Sequence, residues 1–197
     1  PASHTLTIIN ESGDIGRAPS PWLRLLRRGV RITAETGRGL MDVLTRQWGL
    51  SADYIASNVQ TIFLDGSPVD DVAAARPKDG SVLGLGAAMP GLVGAVMRVG
   101  SPLAGFRDDI TSRTAEGASA EATLTLKLFN TVARERGAHF LRRGVAADAA
   151  ALRELVGGMD EADREGWHAR LDGDPVAHEA LAHALDGLDG EVAVRLG

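Results

Sequence analysis

Cysteine is absent from all 197 residues. That excludes disulfides, thiolate nucleophiles and cysteine-ligated zinc, and leaves the redox compartment open. Aromatic residues make up only 4% of the chain, so any core must be aliphatic and tightly packed. Lysine is almost missing, since Lys78 and Lys127 are the only two among 21 basic residues. With the abundance of Ala and Gly, this arginine bias reflects GC-rich, bacterial-type codons rather than function. Long apolar runs are also lacking. The stretch 82–97 has 16 uncharged residues and contains Gly and Pro, short of the roughly 20 that span a bilayer. No transmembrane helix is expected.

A positive excess is missing as well. The net charge is −5, with 10 basic and 9 acidic residues in 1–100 against 11 and 17 in 101–197. Phosphate neutralisation needs a basic face, so nucleic-acid binding is not expected. No signal peptide heads the sequence, which makes the cytoplasm the expected location. The 44% hydrophobic content is that of a globular protein, with length for two domains of ordinary size.

What is present is an internal echo. Thr-Leu-Thr-Ile-Ile-Asn at 5–10 returns as Thr-Leu-Thr-Leu-Lys-Leu-Phe-Asn at 123–130. Leu-Leu-Arg-Arg-Gly-Val at 25–30 returns as Phe-Leu-Arg-Arg-Gly-Val at 140–145. Asp-Gly-Ser-Pro-Val at 65–69 matches Asp-Gly-Asp-Pro-Val at 172–176, and Asp-Gly-Ser-Val at 79–82 matches Asp-Gly-Glu-Val at 189–192. Four short matches in one order point to two copies of a domain with loops of different length.

The local patterns agree. In the first copy, strands are expected at 5–10, 30–34, 59–64 and 81–85, with a basic amphipathic segment at 22–28 and a helix at 39–48. Asp65-Gly66 is a tight-turn signal into a short additional strand. In the second copy, alternating Leu124, Leu126 and Leu128 predict a half-buried strand. Helices follow at 147–156 and, acidic, at 159–165. The strand 167–171, the Asp172-Gly173 turn, a helix at 176–185 and a strand at 191–196 complete it. This is an α+β pattern of mixed sheets, each packed on a helix. The expected division is 1–90, a connector at 91–121, and 122–197.

Two surfaces stand out as candidates for a protein partner or for self-association. One is the cluster Arg24, Arg27, Arg28 and Arg31, a possible site for an acidic partner, against the plainer reading of a solvated face over Leu23, Leu25 and Leu26. The acidic side chains at 160–165 could meet that cluster in a neighbouring molecule. The other is the Gly-rich apolar connector with Leu85, Met89, Leu92, Val93, Val96 and Met97, read either as an interface or as packed core. The remaining constellations carry little chemistry. Gly84-Leu85-Gly86 begins like a dinucleotide loop but lacks its third glycine, so these are expected to be packing glycines. His178 and His183 are five apart, about 140° around a helix, and do not form a metal-binding pair. Neither a catalytic set nor a metal or cofactor site is expected.

Lys127-Leu128-Phe129-Asn130-Thr131-Val132-Ala133-Arg134-Glu135 resembles the opening of the small subunit of molybdopterin synthase. The Asp65–Val69 and Lys78–Val82 segments resemble the end that this family shares with the thiamine sulfur carrier. The resemblance implies the β-grasp, ubiquitin-like fold, here in tandem. It also implies a carrier or modifier chemistry in which a C-terminal glycine is adenylated. Gly197 would be that residue, without the second glycine of the family pattern. The sequence therefore favours a non-enzymatic tandem ubiquitin-like interaction or self-assembly module, with a sulfur carrier or modifier as the alternative.

Overall fold

The computed structural model describes residues 2–88, 99 and 120–197. The chain is α+β and divides into two compact units, Pro1–Arg31 with Ala133–Gly197, and Ile32–Val132.

The first unit holds β1 (His4–Asn10), α1 (Ser20–Arg28), the start of β2 (Val30–Glu35), most of α4 (Asn130–Arg143), β7 (Val145–Asp148), α5 (Ala149–Gly157), α6 (Glu161–Arg164), β8 (Trp167–Leu171), β9 (Asp174–Val176), α7 (His178–Asp186) and β10 (Glu191–Leu196). Its strands run in the order β9-β8-β1-β10-β7. The centre is a parallel pair, β1 and β10, with Leu6 opposite Val194 and Ile8 opposite Leu196. Antiparallel β8 and β7 flank it. Alternation buries Leu6, Ile8, Val192, Val194 and Leu196, as a period of two requires.

The helices are fixed by local chemistry. Asp148 caps α5 by accepting from the backbone N–H groups of Ala150 and Ala151, leaving fewer orphan donors at its start. Trp22 of α1 is fully buried and meets Trp167 edge-on at 5.2 Å, a favoured aromatic geometry. Gly137 of α4 has a packing reason, because a Cβ there would lie 2.6 Å from Leu23 Cδ2. Its absence lets α1 approach.

The second unit contains the rest of β2, α2 (Leu40–Asp42) continuing as a π-helical turn Val43–Gln47, α3 (Ala52–Asn58), β3 (Thr61–Leu64), β4 (Ser67–Pro68), β5 (Val82–Gly86) and β6 (Glu121–Leu128). Its strand order is β4-β3-β5-β6-β2. Parallel β5 and β6 form the centre and β3 runs antiparallel to β5. Asp65 and Gly66 both have positive φ, 51° and 84°, the requirement of a tight hairpin turn. The Asp65 carboxylate accepts from the Val82 N–H at 2.8 Å and the Ser81 hydroxyl at 3.0 Å, which ties the hairpin to β5. Trp48 is buried and its indole N–H donates to the Thr33 carbonyl at 3.1 Å.

The compact units do not follow the expected division at 1–90 and 122–197. β1 and α1 complete the unit built mainly from the second half, and β6 completes the unit built from the first. The strand orders of the two units also differ. β6 lies between β5 and β2, whereas β1 lies between β8 and β10. The physical reason is shared patterning: β1 and β6 both alternate apolar and polar residues beside a parallel partner, so either slot accepts either strand. The helix α4 and strand β7 were not anticipated. The expected helix at 147–156 begins two residues late because 145–148 is strand.

Candidate functional site

The site is built by β3, β5 and β6 of the second unit. Along these strands one face carries Ile62, Leu64, Leu83, Leu85, Leu124, Leu126 and Leu128, all at most 1% exposed. The alternate positions, on the opposite face, are Thr61 and Phe63, Val82, Gly84 and Gly86, and Lys127 with Phe129 just beyond the strand end.

Register then makes rows. Phe63 pairs with Gly84, and Gly84 with Lys127. Thr61 pairs with Gly86, and the Leu85–Leu128 pairing brings Phe129 alongside. The central strand thus shows two glycines on one face, about 6.6–6.8 Å apart, between side-chain rows roughly 10 Å apart. The outcome is a trough.

Its cavity is about 330 Å³ and is lined by these seven residues with Gly66, Ala87 and Asn130. Phe129 leans over the glycines. A Cβ on Gly84 would sit 3.3 Å from Phe129 Cε2 and 3.6 Å from Phe63 Cβ, and one on Gly86 would sit 3.6 Å from Phe129 Cβ. The lining is apolar apart from Thr61, Lys127 and Asn130. Thr61 is only 3% exposed, and its Oγ1 has no hydrogen-bond partner. Leaving a buried hydroxyl unpaired costs about 1–3 kcal/mol. Lys127 is the single charged group among the described lining residues.

The sequence-derived candidates are placed as follows. Leu85 is fully buried in β5, on the face away from the trough. Met89, Leu92, Val93, Val96 and Met97 lie outside the described residues. Val99 donates its N–H to the Gln60 carbonyl at 2.9 Å. Arg24, Arg28 and Arg31 each pair with a carboxylate of their own unit, Asp163, Glu154 and Glu191 respectively. Arg27 is exposed. The Gly197 N–H donates to the Ile8 carbonyl at 2.9 Å, so this residue is docked against β1. His178 packs on the Trp167 ring at 4.4 Å and His183 faces Asp186 at 3.5 Å. Among the described residues no group of three or more His, Asp or Glu is placed to hold a metal ion. No described helix is long and apolar enough to cross a membrane.

Sequence reasoning met Gly84 and Gly86 as packing glycines and missed the trough. The available signal was their spacing of two inside a strand, which places both on one face. Comparison of this chain with protein-family models, curated proteins and solved structures finds no match.

Proposed function

We propose that the chain is a non-enzymatic binding protein with two β-grasp units, and that the trough on β3, β5 and β6 seats an apolar anchor of a protein partner. One observation carries the reading. A cavity of about 330 Å³ is lined by Gly84, Gly86 and two phenylalanines, beside a buried hydroxyl with no partner. Binding sites combine such an apolar concavity with a few placed polar groups. Lys127 as the trough's sole titratable group favours binding over acid–base work, which takes a positioned proton donor and acceptor. The β-grasp reading is supported by each unit's central parallel pair with an antiparallel neighbour and a terminal hairpin.

A phage-displayed peptide library tests this. Panned on the wild-type chain, it should enrich a shared motif with a large apolar residue. Gly86→Val places its Cβ at ordinary contact distance from Phe129, adds branched bulk to the trough in a residue that favours strands, and should remove the enrichment. A library that yields no motif, or one indifferent to Gly86→Val, overturns the reading.

A further inference from the structure

Resting on that reading of the trough, we propose that the anchor is a tyrosine or tryptophan side chain flanked by acidic residues in a partner segment. Size sets the first limit. About 330 Å³ is at the lower end of ligand-binding volumes, roughly 300–1,000 Å³, so one large side chain fits. Affinity beyond that side chain must come from flanking residues, which a polypeptide has and a free amino acid lacks.

Polarity sets the second limit. Thr61 Oγ1 is buried in the lining without a partner, and a hydroxyl both donates and accepts. Leucine or phenylalanine would leave it unpaired. A tyrosine hydroxyl or a tryptophan N–H puts a polar tip on an aromatic body and completes the bond. The aromatic body has Phe63 and Phe129 to meet in the lining.

Charge sets the third. Lys127 stands across β5 from Phe63, in register with Gly84, and Asn130 adds an amide at the rim. Carboxylates beside the anchor complement this end. The sheet backbone contributes nothing further, because β5 is already paired with β3 and β6, so recognition rests on side chains.

The test is fluorescence anisotropy of the full chain with labelled short Gly/Ser peptides centred on Glu-Tyr-Glu, Glu-Phe-Glu, Glu-Ala-Glu or Lys-Tyr-Lys. Glu-Tyr-Glu should bind, Glu-Phe-Glu about tenfold more weakly for want of one hydrogen bond, and Glu-Ala-Glu not at all. Thr61→Val should make the tyrosine and phenylalanine peptides equal, and Lys127→Glu should shift preference to Lys-Tyr-Lys. Equal binding of the tyrosine and phenylalanine peptides by the wild type, or no preference for acidic flanks, overturns the proposal. If none of these peptides binds while the library still enriches a motif sensitive to Gly86→Val, this proposal fails and the trough reading stands. If the library is also empty, both fall.

Discussion

Arg31 Nε stands 2.7 Å from Glu191 Oε1, joining the start of β2 to the start of β10 inside the first unit. Arg24 and Arg28 do the same from α1, to Asp163 at 2.5 Å and Glu154 at 3.1 Å. The charge asymmetry between the two halves of the sequence is thus partly met within one unit. Acidic side chains from the second half face arginines from the first.

The Arg31–Glu191 pair is half-exposed, at 54% and 31%, so screening limits its contribution to at most about 1 kcal/mol. Arg31→Glu should lower stability by that order, and adding Glu191→Arg should restore most of it. Urea unfolding at low salt and at molar salt checks this, since the difference should shrink when charges are screened. A double variant no more stable than Arg31→Glu would show that the pair contributes nothing.

Fragments 1–88 and 120–197 should each fail to fold alone and should fold when mixed. Each lacks a central strand of the unit that it mostly builds, β6 in the first case and β1 in the second. A sheet missing its central strand exposes the leucine face and unpaired backbone groups. Circular dichroism and size-exclusion chromatography of the separate and mixed fragments decide it. Cooperative unfolding of either fragment alone would refute the strand assignment.

Thr61→Val should raise stability by about 1 kcal/mol, because it replaces an unpartnered buried hydroxyl with a methyl of the same shape. The same change should weaken binding at the trough. Thermal unfolding beside the peptide assay reads both, and a destabilised Thr61→Val would mean that the hydroxyl is satisfied in solution.

Asp148→Ala should cost about 0.5–2 kcal/mol, the usual loss for an N-cap, since its carboxylate holds two N–H groups at the start of α5. Asp148→Asn should recover most of the loss. Chemical denaturation of the two variants separates a capping role from simple loss of charge.

Asp172 sits at the β8–β9 turn, where its carboxylate meets His4 Nδ1 and the Thr5 N–H, each at 2.7 Å. The His4 hydrogen bond first, and the Thr5 N–H second, hold this carboxyl below its ordinary value of 3.8. A lowered carboxylate pKa stabilises the fold above the unfolded value and loses that contribution as pH falls through the folded one. Stability should therefore drop below about pH 4, and Asp172→Asn should lack that component of the acid transition. Unfolding curves measured from neutral pH downward show whether the two proteins converge in acid.

Much of this architecture was legible locally. Alternation at 5–10, 123–128 and 191–196 marked strands because a pleated chain sends successive side chains to opposite faces. Asp65-Gly66 and Asp172-Gly173 marked turns because both residues take positive φ, which few other residues tolerate. α4 escaped because its buried stripe of Val132, Ala133, Gly137, Ala138, Phe140 and Leu141 is half small residues, interrupted by Arg134, Glu135 and Arg136. It packs on α1, whose Leu23 takes the space at Gly137.

The sequence by itself determined the α+β class, most strand positions and the turns, since these follow from periodicity and backbone preference within a few residues. Tertiary structure alone decided which strands become neighbours and what the glycines do. β1 and β6 carry nearly the same alternating pattern, and pattern fixes which face is buried without choosing the neighbour. Gly84 and Gly86 become a trough only when register sets Thr61 and Phe63 on one side and Lys127 and Phe129 on the other, residues 21 to 43 positions from the glycines they flank.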